Sequence, residues 1–453
     1  MDALSFLSKK VIHPLWAVKE GSSHLKYLRE YEKTQFLSLS ELRELQWARL
    51  KLLLGHAYSN VPFYRKRFEK AGIHPEDIKG FEEFANIPVL TKEDIQKFNE
   101  EMVAQNVDKK DLIPNMTGGS TGKPLHFYVD KKRMEMRKAS TIRHNRWAGW
   151  DLGDKFAAFW GSRSDFDVYQ SIKAKARNFL LDRCLILDTS SLTEESMMAF
   201  ARKLKKEKPK FYLAYANSMY MFAKFVNENR IDGLHPKAIV TSAEVLHKHE
   251  RALIEEVFGC KIFNRYGCRE TSVIASECNE HNGMHINAEC IYLEIEKNSL
   301  GRCGEDDGEI IITDLLNFGM PLIRYKIEDV GSLSEKPCSC GRGLPLLKSL
   351  IGRSTEFILT PEGKYVSGAA LTIFLVAKTP GLLQAQFIQE AKNRTIMKIV
   401  KGPNFNEESM ALLNERVKQF LGPQMEIHYD PVQEIPRESS GKFRFSISNI
   451  RES

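Results

Sequence analysis

Residues 211–265, FYLAYANSMYMFAKFVNENRIDGLHPKAIVTSAEVLHKHERALIEEVFGCKIFNR, decide the fold class. Short runs of strand-forming residues alternate here with longer runs that have helical periodicity. The strand candidates are Phe211–Ala214, Ala238–Thr241 and Ile262–Arg265, and the helix candidates are Ser218–Asn229 and Lys248–Phe258. Alternation of this kind builds βαβ units, in which neighbouring strands are parallel. We therefore predict an α/β fold with a mainly parallel sheet.

The flanking sequence divides the chain into three predicted parts. Residues 1–105 read as the helical N-terminal part of a large domain. Residues 106–352 form the core of that domain, with Glu309–Thr313 as a further buried strand. Residues 353–453 read as a small α+β domain, with strands at Phe357–Leu359, Met397–Val400 and Met425–His428 and helices at Ala369–Ala377 and Glu407–Leu421.

Two helix ends are marked by their residue types. Ser38 precedes a helical run and has Glu41 three residues on, which is the pattern of a capping box, although Ser40 is an alternative cap. Gly72 follows the run NVPFYRKRFEKA and is typical of a helix C-terminus.

Charge and composition indicate a globular protein with a mild excess of basic residues. Of the 453 residues 42% are apolar, which is enough for a sizeable core, and the net charge is 66 − 59 = +7. The basic clusters Lys131–Arg133 and Arg202–Lys210 are expected on solvated helix faces. The mild basic excess leaves open contact with a polyanion or an anionic membrane, but we expect no nucleic acid partner.

The sequence predicts a cytoplasmic protein. No apolar run reaches the roughly 18–20 residues that a membrane span needs. The N-terminal residues MDALSFLSKKVIHPLW lack the form of a signal peptide. The eight cysteines are therefore expected to be reduced thiols or metal ligands rather than disulfides.

A glycine-rich segment, TGGSTGKPL at Thr117–Leu125, points to phosphate chemistry. Glycines let backbone N–H groups approach an anion, while hydroxyls and Lys123 add donors and charge. Pro124 follows Lys123 where a P-loop needs Ser or Thr, so the common NTPase fold is not indicated. The alternative is a flexible surface loop, but the flanks Asp111–Asn115 and His126–Val129 can pair as strands and make a hairpin.

Five further motifs follow this loop in order: TSAEV (241–245), YGCRE (266–270), RYKIEDVG (324–331), GRS (352–354) and GKFR (441–444). Together with TGGSTGKP they resemble the adenylate-forming (acyl/aryl-CoA synthetase, AMP-forming) superfamily over about residues 110–445. NVPFYRKRF, YGCRETSVIASEC, GMHINAE and CSCGR resemble in particular its phenylacetate–CoA ligase and CapK-like branch. The resemblance implies a large adenylate-forming domain with a small mobile C-terminal domain.

The implied reaction is attack of a carboxylate on the α-phosphate of ATP, which gives acyl-AMP and pyrophosphate. Two anions must meet, so the site needs cations, N–H donors and Mg²⁺ where charge develops. By resemblance, the phosphate loop consists of Thr117, Gly118, Gly119, Ser120, Thr121, Gly122 and Lys123.

The resemblance also assigns the groups around the nucleotide. Tyr266 of the Tyr266-Gly267 pair would stack on adenine, and Glu270 would bind Mg²⁺, which suits one or two carboxylates plus phosphate oxygens. Its alternative is a favourable acid near a helix start. Asp329 would accept from the two ribose hydroxyls, with Glu328 adjacent.

Ser242, Ala243 and Glu244 would line the adenine and acyl pockets, although a strand end followed by a helix cap explains these side chains nearly as well. Arg353 would lie near the ribose and α-phosphate, or bridge the domains. Lys442 is the predicted catalytic cation, carried to the α-phosphate when the small domain closes. The alternative is an exposed lysine near the end of the chain.

A second constellation consists of Cys278, His285, Cys338 and Cys340. Thiolate and imidazole are the ligands that tetrahedral Zn²⁺ prefers, and the resembled branch has such a set at these places. Four protein ligands would make a structural site. His281 is the competing nitrogen donor, and four unliganded side chains are the alternative to any metal.

The acyl acceptor is the open part of the prediction. Members of the family usually continue GR with an acidic pair, but this chain has Ser354-Thr355-Glu356, and Thr360–Gly368 departs from the glycine–proline loop of CoA-forming members. We predict an acid–thiol ligase that activates a small carboxylic acid with ATP and transfers the acyl group to a thiol, for which CoA is the expected acceptor. An amine, a sugar hydroxyl or a carrier thiol as acceptor, as in capsule or natural-product biosynthesis, and a non-catalytic nucleotide-binding scaffold are the alternatives.

The identity of the acid is not encoded in any motif. Aromatic residues available for its pocket are Trp160, Tyr212, Tyr215 and Phe263, which could equally pack a core. The sequence also leaves open whether the chain forms a homodimer.

Overall fold

A computed structural model describes most of the chain. The described residues are 3–117, 125–160, 171–189, 192–297, 306–353, 357–363, 365–367, 371–372, 375–376, 378–436 and 444–450. The chain divides into two compact units. The first comprises Met1–Glu294, Ile311–Ile327 and Leu333–Lys348, and the second comprises Ile295–Ile310, Glu328–Ser332 and Ser349–Ser453.

The N-terminal part is helical, as predicted. Its helices are α1 (Ala3–Leu7), α2 (His13–Lys19), α3 (His24–Thr34), α4 (Leu39–Asn60), α5 (Pro62–Ala71), α6 (Phe81–Phe84) and α7 (Lys92–Lys97). A π-helical turn, Ser8–Ile12, joins α1 to α2 without a break, so residues 3–19 form one helical run. Short 3₁₀ turns lie at Pro75–Asp77, Asn99–Met102 and Lys109–Asp111.

The predicted helix ends are confirmed. Ser38 is the N-cap of α4, and it forms the capping box with Glu41, so Ser40 is not the cap. Gly72 is the C-cap of α5 at φ 65°, a left-handed conformation that glycine adopts without a steric penalty.

Strands and helices alternate from residue 112 to residue 353, most of them in the first unit. The elements are β1 (Leu112–Met116), β2 (His126–Asp130), α8 (Lys131–Trp147), β3 (Phe156–Trp160), α9 (Ile172–Arg177), β4 (Cys184–Asp188), α10 (Glu194–Glu207), β5 (Phe211–Tyr215), α11 (Ala216–Glu228), β6 (Ala238–Ser242), α12 (Lys248–Phe258), β7 (Lys261–Cys268), β8 (Ser272–Glu277), β9 (Met284–Ile286), β10 (Ile291–Glu296), β11 (Gly308–Asp314), β12 (Tyr325–Leu333) and β13 (Leu346–Arg353). A π-helical turn, Asn178–Asp182, follows α9.

The large sheet has eleven described strands in the order β10-β11-β12-β13-β9-β8-β7-β6-β5-β3-β4. Strands β4, β3, β5, β6 and β7 are parallel, as the βαβ alternation predicts. Beyond β7 the pairings β7–β8, β8–β9 and β9–β13 are antiparallel, so the sheet adds an antiparallel part to the predicted parallel part.

The main core lies where the parallel strands meet α10, α11 and α12. Phe159, Tyr212, Phe222, Phe258 and Ile262 are all buried there. Burial of large apolar side chains on one face of the sheet is the dominant favourable contribution to the stability of such a layer. Because helices cover this face, the strand ends rather than the strand faces are left to form a site.

Elements of the second unit complete the chain. They are β14 (Phe357–Leu359), β15 (Tyr365–Ser367), β16 (Leu382–Ala391), β17 (Arg394–Lys401), α13 (Glu407–Leu421), β18 (Glu426–Pro431) and β19 (Ser446–Ser448). A four-stranded sheet, β18-β17-β16-β19, packs with α13 around Phe387, Met397, Leu413 and Val417. The predicted helix at Ala369–Ala377 lies largely outside the described residues.

One surface prediction is wrong. Arg133, which the sequence placed on a solvated helix face, is 0% exposed, and its Nε lies 2.8 Å from a carboxylate oxygen of Asp314, which is also buried. The segment Arg202–Lys210 carries the solvated basic face that was predicted, with Arg202 exposed on α10. Among the described residues, no helix combines the length and hydrophobicity that crossing a membrane requires.

Candidate functional site

The phosphate-loop candidate begins at a closed hairpin. Strands β1 and β2 pair antiparallel from Leu112↔Asp130 to Met116↔His126, so the predicted hairpin is confirmed. At its tip the Thr117 N–H donates to the Leu125 carbonyl at 3.0 Å. The Leu125 N–H donates to Thr117 Oγ1 at 2.9 Å. These two bonds fix both ends of the glycine-rich loop, whose residues Gly118–Pro124, with Lys123, lie outside the described residues.

Tyr266, Gly267 and Glu270 lie where β7 turns into β8. Tyr266 and Glu270 are both buried, and the Tyr325 hydroxyl donates to Glu270 Oε1 at 3.1 Å. A side chain at Gly267 would place its Cβ 2.6 Å from the Ser272 carbonyl oxygen, so only glycine fits between the two strands. The motif is therefore a tight turn that places the acid Glu270 four residues after the aromatic Tyr266.

Two arginines of α8, one helical turn apart, fix the backbone of this turn. Arg137 donates to the carbonyl oxygens of Arg269, at 3.2 Å, and of Glu270. Arg133 donates from Nη2 to the Thr271 carbonyl at 3.2 Å, and from Nε to Asp314 at 2.9 Å. Three consecutive carbonyl groups are thus held by buried cations, which positions the Glu270 carboxylate.

Sequence reasoning missed these two arginines. The segment KKRMEMRK reads as a charged helix face, and nothing local distinguishes Arg133 and Arg137 from the solvated lysines beside them. Their buried partner Asp314 lies at the end of β11, far along the chain. The only signal is the i, i+4 spacing of the two arginines, which places them on one side of the helix.

Burial changes the chemistry of the thiol in the same turn. Cys268 lies in the motif, with its Sγ 3.3 Å from Thr271 Oγ1. Burial, followed by the nearby Glu270 carboxylate, raises the pKa of the Cys268 thiol well above its ordinary value. A protonated thiol is a poor nucleophile and metal ligand, so Cys268 is not suited to either role.

The segment Ser242–Glu244 is where β6 ends. Ser242 is buried, and Ala243 adopts a left-handed conformation at φ 71°, which is uncommon for a residue with a Cβ. Glu244 Oε2 accepts from the Asn217 N–H at 2.9 Å, at the N-terminus of α11. A carboxylate is favourable at a helix N-terminus. This contact supports the capping alternative for Glu244.

Aromatic residues gather at the carboxyl ends of neighbouring strands. The Trp160 ring at the end of β3 and the Tyr215 ring at the end of β5 have centroids 4.3 Å apart. Tyr215 pairs in register with Ser242, and Ser242 with Arg265 just before Tyr266. Ligands of open α/β sheets bind at this edge.

The other two aromatic candidates for an acid pocket are core residues. Tyr212 is 1% exposed and belongs to the main core. Phe263 is buried in a smaller cluster on the sheet. Tyr215 is also buried and Trp160 is half-buried, but neither belongs to these two core clusters.

Three predicted site residues belong to the second unit. Asp329 is half-buried in β12, directly after Glu328, which has a positive φ of 66°. Arg353 is the last residue of β13. Lys442 lies outside the described residues, but the chain two residues on is fixed to β16, where Gln386 Nε2 donates to the Arg444 carbonyl at 2.7 Å.

The four predicted metal ligands are brought together in the first unit. One donor atom from each of Cys278, His285, Cys338 and Cys340 lies within 4.8 Å of the others. The Cys278 and Cys338 sulfurs are 3.7 Å apart, and Cys340 Sγ is 3.2 Å from His285 Nε2. A tetrahedral site with Zn–S bonds of about 2.3 Å has S···S edges of about 3.8 Å, so this donor set fits zinc.

His285 rather than His281 occupies the cluster. The His285 Nδ1 lies 3.2 Å from the Leu344 carbonyl oxygen, which leaves Nε2 to face the sulfurs. Burial lowers the pKa of His285 to about 4, which favours the neutral ring that a metal needs. The His281 ring instead lies 3.1 Å from Glu277 Oε2.

The thiols of the cluster differ in pKa. Burial raises the pKa of Cys278 to about 12. For Cys340 burial acts in the same direction but is outweighed by hydrogen bonds, first from the Arg342 backbone, so its pKa is lowered. Cys340 therefore loses its proton more readily than an ordinary cysteine, which is the change that metal binding requires.

Comparison with solved structures defines the class of fold. The crystal structure of 2-hydroxyisobutyryl-CoA ligase in the postadenylation state, in complex with R3-HIB-AMP, superimposes with a TM-score of 0.71 at 18% identity. The match covers 91% of this chain and 90% of that one. The fold is therefore that of the adenylate-forming CoA ligases, as the motifs predict.

Relatives in sequence identify the branch. Protein CapK of Staphylococcus aureus is 26% identical over 437 residues, which is 94% of each chain. The phenylacetate–coenzyme A ligase of Aromatoleum evansii is 25% identical over 440 residues, 91% of this chain and 96% of the relative. Residues 358–449 match the family model of the CapK C-terminal domain. The predicted resemblance to the phenylacetate–CoA ligase and CapK-like branch is confirmed.

Proposed function

We propose that this protein is an AMP-forming ligase that activates a carboxylic acid with ATP and transfers the acyl group to a thiol, which we take to be CoA. The observation that carries the proposal is the turn of residues 266–270. A buried acid, Glu270, follows an aromatic residue, and two arginines fix its backbone. The relatives that span more than nine-tenths of the chain include phenylacetate–coenzyme A ligases, which supports the same reaction.

The residues of the first unit have separate tasks in this proposal. The loop closed by Thr117 and Leu125 would donate N–H groups to the β- and γ-phosphates. Tyr266 would stack on adenine. Glu270 would hold Mg²⁺, because its buried carboxylate supplies the oxygen donor that this ion prefers. The ion would supply positive charge at the phosphates while pyrophosphate leaves.

The residues of the second unit complete the proposal. Asp329 would accept hydrogen bonds from the ribose hydroxyls, which suits two acceptor oxygens. Arg353 would contact the nucleotide near its α-phosphate. Lys442 would neutralise the charge that develops there when the carboxylate attacks.

Trp160 and Tyr215 favour a flat or apolar acid. The centroids of their rings are 4.3 Å apart, and both residues lie at the edge of the sheet where Ser242 ends β6. Apolar surface with few polar groups is typical of a small-molecule pocket. We therefore propose an aryl acid or a short apolar acid as the substrate.

We also propose that Cys278, His285, Cys338 and Cys340 hold a structural Zn²⁺. Four protein ligands would leave no open position for a catalytic water. The ion would tie β9 and the segment before β13 together, since the ligands come from separate parts of the chain.

An acceptor other than CoA is the second candidate. It is favoured by the departures at Ser354-Thr355-Glu356 and Thr360–Gly368 and by the match to the CapK C-terminal domain. In this case the acyl-AMP would form in the same way, but an amine or a hydroxyl would take the acyl group.

One experiment tests both parts. The purified full chain is incubated with ATP, Mg²⁺ and a panel of carboxylic acids, and acid-dependent pyrophosphate release is measured. Pyrophosphate release with at least one acid supports adenylation. If the protein binds Mg-ATP but releases no pyrophosphate with any acid of the panel, adenylation is contradicted. CoA is then added with the active acid, and a hydroxylamine-sensitive thioester is sought. No consumption of CoA would exclude the thiol acceptor and favour the amine or hydroxyl.

A further inference from the structure

The helical run of residues 3–19 packs on the first unit with its polar side inward. Ser5 and Ser8 are buried. Ser5 Oγ donates to Asp154 Oδ1 at 3.0 Å, and Ser8 Oγ donates to the Leu180 carbonyl at 2.7 Å. At Gly153 an added Cβ would lie 2.5 Å from the Ser5 carbonyl oxygen, so the helix backbone rests directly on this glycine.

The opposite side of the run exposes large apolar residues. Leu7, Val11, Leu15 and Val18 follow one another at intervals of four, four and three residues, which places them on one face. Val18 is 80% exposed and Leu15 is 64% exposed. A helix that buries serines and exposes leucines and valines has the reverse of the usual arrangement in a globular protein.

A neighbouring segment extends this surface. The helical run rests on the π-helical turn after α9, where His13 Nε2 lies 3.3 Å from the Leu181 carbonyl oxygen. In that turn Phe179 is 66% exposed, and Leu180 is also exposed. We call the combined surface the N-terminal apolar face; it consists of Phe6, Leu7, Val11, Leu15, Val18, Phe179 and Leu180.

Basic residues surround the N-terminal apolar face. The two segments 3–19 and 171–181 contain six basic residues and no aspartate or glutamate. The basic residues are Lys9, Lys10, Lys19, Lys173, Lys175 and Arg177. All but Lys9, which pairs with Asp151, are exposed. Acidic residues adjoin the two segments along the chain at Glu20 and at Asp182, which lies 3.7 Å from Arg177. Two further acids, Asp151 and Asp154, contact the helical run through Lys9 and Ser5.

The combination of apolar and basic residues distinguishes between the kinds of partner that could cover the N-terminal apolar face. In a two-fold dimer the same face would meet itself, and its lysines would be brought together. Like charges placed close together oppose such an association. A bilayer with anionic headgroups instead accepts apolar side chains and attracts lysines near its surface.

We propose that the N-terminal apolar face docks onto anionic lipid membranes, with the helical run of residues 3–19 lying in the plane of the interface. Leu7, Val11, Leu15 and Val18 enter the boundary between headgroups and acyl chains. Lys10, Lys19, Lys173 and Lys175 contact lipid phosphates. The binding is peripheral and reversible, and it does not depend on the ligase reaction.

Flotation of the purified full chain with lipid vesicles tests the proposal. Vesicles of phosphatidylcholine alone are compared with vesicles that contain phosphatidylglycerol. We expect flotation with the anionic vesicles only, weakened by added salt. The double variant Leu15→Glu/Val18→Glu should bind at least tenfold more weakly, and so should the charge reversal Lys173→Glu/Lys175→Glu.

The matched control is Leu52→Glu on α4, because Leu52 is 67% exposed and belongs to neither of the two segments. It should float like the unchanged chain. All variants alter exposed positions, so their melting temperatures should stay within a few degrees, which separates loss of binding from misfolding.

Three outcomes would overturn the proposal. The first is no flotation with anionic vesicles, and the second is equal flotation of the Leu15→Glu/Val18→Glu variant. The third is a dimer in light scattering that this double variant converts to a monomer, because the face would then be a self-interface.

Discussion

At the scale of single residues, the candidate site depends on buried side chains that bind the backbone of its turn. Arg133 and Arg137 hold the carbonyl groups of the turn that carries Glu270, although neither matches a motif residue. A buried arginine and a solvated one look alike in a sequence, because the partner that justifies burial lies elsewhere along the chain. The sequence therefore predicted Glu270 as a site residue but did not predict the arginines that position it.

The variant Arg137→Met tests this positioning. The carbonyl oxygens of residues 269 and 270 would lose their donor, while Asp314 would keep Arg133. We expect the KM for Mg-ATP to rise about tenfold, which corresponds to about 1.4 kcal/mol. Stability should fall by about 1–3 kcal/mol, the cost of unsatisfied buried acceptors.

Arg137→Lys should restore part of the Mg-ATP affinity, and Arg202→Met on an exposed face should change neither quantity. A lower melting temperature with an unchanged KM would show that Arg137 has only a structural role. The measurements are initial rates of pyrophosphate release and thermal unfolding.

Glu250 predicts a pH dependence of stability. Burial, opposed by the hydrogen bond from the His247 N–H, raises the pKa of this carboxyl from 4.5 to about 7. Between these values the unfolded chain is ionised while the folded chain keeps its proton. The contribution of Glu250 to the free energy of unfolding therefore falls as pH rises from about 4.5 to about 7, and this contribution is constant above that range.

Glu250→Gln removes this loss and keeps an oxygen acceptor for His247. Its stability relative to the unchanged chain should grow between pH 5 and pH 8, by up to about 3 kcal/mol. Thermal melts at both pH values measure the difference. Glu256→Gln, an exposed position of the same helix, is the control, and an equal gain at both pH values would contradict the assignment.

At the scale of elements, prediction succeeded where local chemistry decides. The helices Lys248–Phe258 and Glu407–Leu421 and the strand Phe357–Leu359 have the predicted bounds. Strands β8, β9 and β13 were not predicted, because they are held by antiparallel partners from other parts of the chain rather than by strand-forming runs.

The hairpin of β1 and β2 leads to a prediction about nucleotide affinity. Thr117→Val keeps the shape of the side chain but removes the oxygen that accepts from the Leu125 N–H. We expect the KM for ATP to rise several-fold, in line with about 0.5–1.5 kcal/mol for one hydrogen bond. Thr117→Ser keeps the acceptor and should behave like the unchanged chain. Equal KM values for the two variants would rule out this closure as a determinant of ATP binding.

The Cys/His cluster leads to a prediction about metal content. We expect one zinc ion per chain by elemental analysis of protein purified without chelator. Cys338→Ser should lower the zinc content, and it should lower the melting temperature by several degrees, as a strong chelator should with the unchanged chain. Cys260→Ser, outside the cluster, should retain zinc. Protein that is free of zinc and equally stable would exclude a metal at this place.

At the scale of the whole molecule, the order of motifs was more informative than any one motif. Six short segments spread over 117–444 predicted a fold that a structural match over 91% of the chain confirms. The predicted boundaries at 105 and 352 are not tested by that match. Compactness instead groups 295–310 and 328–332 with the C-terminal residues, which no local composition indicates.

Lys442 belongs to the scale of the whole molecule, since the role proposed for it concerns the complete reaction. We expect Lys442→Ala to reduce acid-dependent pyrophosphate release by at least a hundredfold with an unchanged melting temperature, because a cation at the α-phosphate acts in the transition state. Lys418→Ala on α13 is the control. Unchanged release in the Lys442→Ala variant would remove this lysine from the mechanism.

The two hydrogen bonds between Thr117 and Leu125 have a consequence for how freely the sequence can vary at the tip of the hairpin. Both bonds use only Thr117 and Leu125, so the pairing of β1 with β2 does not require particular residue types at positions 118–124. Replacing residues 118–124 with the corresponding residues of a relative should change the affinity for ATP toward that of the relative. The rest of the chain should fold as before.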